Sequence, residues 1–121
     1  MSEKNIIPIM AAIKSYTDIF QSKTLSKILP LESADMYYDR YGTPSFIDKY
    51  VTHKSIKNDK YHDLIPCWSL AALLKLIPNF NMFKRTIECK IETTNHSIDK
   101  ACDLIDAAFE MVCWLKENNE L

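Results

Sequence analysis

The sequence predicts an α+β domain in which a small antiparallel sheet of two or three strands is packed by three helices. Three observations carry this. Residues 84–93 give the strictest alternation in the chain, with Ile87, Cys89 and Ile91 to one side and Glu88, Lys90 and Glu92 to the other, the pattern of a half-buried strand. Residues 97–118 set Ile98, Ala101, Cys102, Ile105, Ala108, Phe109, Val112 and Leu115 on one arc of a long amphipathic C-terminal helix. Residues 66–77 are apolar nearly all round and stop at Pro78, as a buried central helix would. With 121 residues, 47% of them hydrophobic, residues 1–121 read as a single domain with an adequate core.

In chain order, the apolar run from Ile6 to Ile13 has Glu3 in front, Pro8 within and no small-residue cleavage site before Lys14, so it does not read as a signal peptide. Residues 6–16 fit either helix or strand, and 12–16 are the candidate third strand. Residues 17–29 predict a helix capped by Thr17, with Asp18 in its first turn, an apolar stripe of Leu25, Ile28 and Leu29, and a stop at Pro30. The aromatic run 34–41 reads as a strand that ends in the turn Tyr41-Gly42-Thr43-Pro44, where a φ above zero calls for glycine. Residues 43–63 are polar and carry the weakest signal, either a long surface loop or a strand-like excursion. In the central helix Pro66 suits the first turn; Ser69 is the alternative cap, one turn later. The expected core is Trp68, Leu70, Leu73, Leu74, Ile77, Ile105, Phe109 and Val112.

Composition excludes several functions. Gly42 is the only glycine, so no glycine-rich phosphate loop, dinucleotide fingerprint or nucleophile elbow can be written. Fifteen basic against sixteen acidic residues leave a net charge of −1 and no global field toward nucleic acid or an anionic membrane. No apolar run approaches the ~20 residues of a transmembrane helix, so a soluble, intracellular protein is expected. The cysteines at 67, 89, 102 and 113 form no paired motif and read as small buried hydrophobes. Cys89, His96 and Cys102, the nearest approach to a metal set, lack paired ligand spacing. No metal or cofactor is implied, and no catalytic constellation stands out, so the reading leans away from an enzyme. Asp99, Asp103, Asp106 and Glu110 form an acidic ridge that reads as a solvated helix face.

Two surfaces remain. Tyr37, Tyr38, Arg40 and Tyr41 precede a segment in which Lys49, Lys54, Lys57 and Lys60 outnumber Asp48 and Asp59, so residues 40–62 carry +3 while residues 99–121 carry −4. Trp114 falls outside the apolar arc of its helix and is a candidate interface anchor. The first functional expectation is therefore binding of a protein partner through Tyr37, Tyr38, Arg40 and Tyr41 or through Trp114. The alternative is a small-ligand or nucleotide-binding module using the tyrosines and lysines of 37–62. Nucleic acid is disfavoured, since arginine is scarce and no recognised motif is present.

The strings Gln21-Ser22-Lys23-Thr24-Leu25, Leu29-Pro30-Leu31-Glu32-Ser33-Ala34-Asp35-Met36-Tyr37-Tyr38, Ile65-Pro66-Cys67-Trp68-Ser69-Leu70-Ala71-Ala72-Leu73-Leu74 and Asp106-Ala107-Ala108-Phe109-Glu110-Met111-Val112 cover about a quarter of the chain. They resemble a family of small uncharacterised proteins encoded by phages and prophages of gut bacteria. The resemblance implies an accessory phage protein at work in a host-cell cytoplasm, and it carries over no catalytic residues. Ala108 stands where the family pattern has cysteine, which argues against an essential thiol there.

Overall fold

The computed structural model describes residues 15–60, 62–78, 81–84, 89–93, 96–100 and 103–121. Its fold is α+β, with antiparallel strands, a long C-terminal helix and most of the apolar core between helices and sheet. Helix α1 (Ile19–Ser26) is capped by Asp18, whose carboxylate accepts from the Gln21 amide while the Gln21 side chain accepts from the Asp18 amide. Thr17 is therefore not the cap. It is wholly buried, and the helix starts two residues later than its sequence pattern suggests. The helix also ends at Ser26, three residues before the expected stop, so of the predicted stripe only Leu25 lies on it; Leu29 in the following turn is still in the core, with Ile28 against it.

Strand β1 (Met36–Tyr38) is central in a three-stranded sheet, flanked by β2 (Pro44–Phe46) and β3 (Ile65–Cys67). The sequence places Pro66 and Cys67 at the start of the central helix; the structure puts them in the strand Ile65–Cys67, with Pro66 opposite Tyr37. Pro66 has no N–H to donate and sits on an edge strand, where none is required. Helix α3 (Leu70–Leu76) starts only at Ser69, whose hydroxyl accepts from the Ala72 amide. Asp35 fixes that cap, accepting from the Ser69 amide at 2.9 Å and its hydroxyl at 2.5 Å. The segment 43–63 is no plain loop. After β2 it forms a short helix, α2 (His53–Lys57), with Thr52 and Ser55 in a capping box.

A second three-stranded sheet runs β4 (Asn81–Lys84), β5 (Cys89–Glu92), β6 (Ser97–Lys100) in chain order. The alternating stretch at 84–93 thus contains β5, with Ile91 fully buried, while residues 85–88 lie outside the described region. Residues 97–100 pair with β5 instead of opening the last helix, and Ile98 lies opposite Ile91. Helix α4 (Leu104–Glu117) is the long amphipathic helix, shorter at its start than its apolar periodicity suggests. It lies on β5 and β6 and packs against α3. Of the expected core, Trp68, Leu73, Ile77, Ile105 and Val112 are buried; Leu70, Leu74 and Phe109 pack against them half-buried. Where the sequence suggests one sheet under three helices, the described residues form two sheets and four helices. Tyr16 bridges to Ser69, while 12–14 lie outside the described residues, as does Cys102.

Candidate functional site

The two faces of β1 meet very different surroundings. Directly paired residues of antiparallel strands point to the same side. Met36, Tyr38, Cys67 and Ile65 therefore share one face, and Tyr37, Ser45 and Pro66 the other.

The first face closes on a buried polar seam. Thr17 Oγ1 lies 2.8 Å from Ser22 Oγ and accepts from the Trp68 amide at 3.2 Å. The Thr17 carbonyl accepts from the Tyr38 hydroxyl at 2.7 Å and from Cys67 Sγ at 3.4 Å. With the Thr17 amide donating to the Trp68 carbonyl at 2.9 Å, the segment before α1 is tied to β3. Burial pushes the Tyr38 hydroxyl and the Cys67 thiol above their ordinary pKa values, so both stay protonated at neutral pH. The thiol is wholly buried, and its raised pKa suits a structural cysteine.

The second face opens into a groove of about 540 Å³ between β1, the 39–43 turn, α2 and residues 58–60, 62 and 64. Tyr37, Val51 and Leu64 supply apolar lining, while Arg40, Tyr41 and Lys60 also border it. Three local devices hold its walls. Asp39 accepts from the Tyr41 and Thr43 amides at 2.9 and 3.0 Å, and Gly42 completes that turn at φ +77°. Asp48 accepts from the Tyr50 and Val51 amides, which hold its carboxyl below the ordinary range and set the entry to α2. Asp59 accepts from the His62 and Leu64 amides, both at 3.0 Å, with the His62 ring 3.3 Å away. His53 Nε2 donates to the Ala34 carbonyl at 2.6 Å, which anchors α2 to the start of β1.

The structure divides the five nominated residues. Tyr37, Arg40 and Tyr41 border one groove; Tyr41 is 83% exposed, with the Arg40 guanidinium 5.8 Å from its ring centre. Tyr38 points the opposite way, only 5% exposed, and belongs to the seam. Trp114 is half-buried against the main core, stacked on His96 at 4.0 Å with ring planes 1° apart, and is not part of the groove. Val51, Ser55, Asn58 and Leu64 line the groove without having been singled out from the sequence. The only sequence signal of Val51, Ser55 and Asn58 was membership of the unexplained polar segment, and Leu64 directly follows it. Asp106, on the acidic ridge, accepts from the Gln21 side chain at 2.8 Å and so links α4 to α1.

Among the described residues, no three histidine, cysteine or carboxylate side chains gather as a metal site, and no helix is long and apolar enough to cross a membrane. No protein-family model, curated protein or solved structure matches the chain.

Proposed function

We propose that the protein is a non-enzymatic accessory protein of phage or prophage origin that acts in the host-cell cytoplasm by seating a segment of a host or phage protein in the β1–α2 groove. The observation that carries this reading is the convergence of Tyr37, Arg40 and Tyr41 on one concave, largely apolar surface. Exposed aromatics beside a basic side chain are the residue types that dominate binding energy at protein interfaces. Selection of peptides from a displayed random library on the intact chain tests it, followed by amide NMR mapping. Selected peptides should shift the signals of Tyr37, Tyr41, Val51 and Leu64. Shifts confined to the Trp114–His96 region, or no selection above background, would overturn the reading.

A second reading, a small-ligand or nucleotide-sequestering module, draws on the groove's size, which falls in the range of small-molecule sites (about 300–1,000 Å³). Thermal denaturation against mono-, di- and cyclic nucleotides separates the two. A ligand at a hundredfold its Kd adds about 2.7 kcal/mol of stability, and no shift with any of them removes this reading.

A further inference from the structure

Around the groove the charges are arranged unequally. Four ionised side chains border it, Asp39 and Asp59 against Arg40 and Lys60, so a formal count gives no sign. The acids, however, are turned onto the backbone. The Asp39 carboxylate receives two amides, and the Asp59 side chain is only 10% exposed with amides on both oxygens. Arg40 and Lys60 are exposed, and among the described residues neither has a carboxylate partner. An approaching molecule therefore meets an apolar floor and two exposed rim cations, while the Asp59 carboxylate is turned inward and the amide N–H groups on both acids offset part of their field.

The same hydrogen bonds narrow the occupant. A nucleotide phosphate is best held by several backbone amides converging on it. Here the amides of Tyr41, Thr43, His62 and Leu64 are occupied by Asp39 and Asp59, and the Gly42 amide by the Asp39 carbonyl. What remains for an anion is side-chain cations at the rim, a geometry suited to carboxylates spaced along a chain. Tyr41, standing out from the groove, extends the apolar contact beyond the cavity itself.

Resting on the protein-partner reading, we propose that the groove recognises an acidic peptide segment, one large apolar side chain on the Tyr37–Val51–Leu64 floor and flanking carboxylates at Arg40 and Lys60. Two fluorescein-labelled ten-residue peptide libraries test this, each with two randomised central positions, one flanked by glutamate and the other by lysine. They are titrated against the wild-type chain and against the Arg40→Glu/Lys60→Glu double variant, whose altered positions are exposed and leave the fold intact. The glutamate library should yield binders about tenfold or more tighter than the lysine library, with affinity falling as salt rises, and the double variant should reverse the preference. Equal binding of both libraries, or a preference unchanged in the double variant, would overturn the acidic specificity while leaving a peptide-binding groove standing. No groove-mapped binding from either library, with a nucleotide shifting the Tyr37 and Leu64 amides instead, would overturn the peptide reading itself.

Discussion

Tyr37 and Tyr38 are neighbours on one strand, and they show how differently the two faces of β1 are used. Tyr38 donates to the Thr17 carbonyl inside a seam where each described buried polar side-chain atom has a partner. Tyr37 borders an open groove whose rim cations lack carboxylate partners among the described residues. A satisfied buried network stabilises one arrangement because any missing member leaves an unpaired buried group. An open face with unneutralised cations contributes little to folding and leaves binding energy available for a partner. The contrast assigns stability to one face and recognition to the other.

Substitutions can break that contrast. The largest effect is expected for Thr17→Val, which keeps the shape but orphans the Trp68 amide and removes a partner of Ser22. Urea denaturation should show a loss of about 2–3 kcal/mol, with groove binding retained in the folded fraction; a loss of binding alone would reverse the assignment. Gly42→Val comes next. A Cβ there meets only the Ile19 side chain at 3.8 Å, so the penalty is the left-handed backbone at φ +77°. It should destabilise by about 1–2 kcal/mol and shift the amide signals of Tyr41 and Thr43.

Tyr38→Phe removes one buried hydrogen bond and should cost about 1 kcal/mol, with Cys67 Sγ still donating to the same carbonyl. Tyr37→Phe serves as the control and should leave stability nearly unchanged. A smaller signature lies in the pH profile. Burial raises the Tyr38 and Cys67 pKa values in the folded state above their ordinary values of 10.0 and 9.0. Their contribution is fully present below the unfolded pKa values and is lost as pH rises beyond them. Stability should therefore begin to fall above about pH 9, and Cys67 should resist alkylation at pH 8 until the chain unfolds. Rapid native-state labelling of Cys67 would show that the seam opens. The smallest stability change, within about 0.5 kcal/mol, is expected for Tyr41→Ala, although it should weaken peptide binding. A large destabilisation there would mean that the exposed ring is structural.

Much of the architecture was legible where periodicity and punctuation agreed. The strand at β5, the arc of α4, the strand ending in the Gly42 turn and most of the core residues followed from alternation, helical spacing and a single glycine. The pattern failed where a short apolar run serves two structures equally well. Pro66–Cys67 and Ser97–Lys100 both belong to a helix on paper, yet each pairs with a strand distant in sequence or across a hairpin. Backbone hydrogen bonding to those partners overrides local propensity. The candidate site was half legible. Residues 37–41 stood out by composition, but alternation along a strand sends Tyr37 and Tyr38 to opposite faces, and only the pairing of β1 shows which face is closed.

From the sequence alone came the α+β class, the long C-terminal helix, the turn at the one glycine and the exclusion of glycine-rich phosphate-binding motifs. Only the tertiary structure decided that Thr17 is a buried tie between distant segments, that Asp35 sets the start of α3, and that the polar segment 43–63 folds into the wall of a groove. The physical reason is the range of the interactions. Periodicity, caps and turns act within a few residues and are written locally, whereas the bonds of Asp35 to Ser69 and of Thr17 to Trp68 depend on chain brought close by folding.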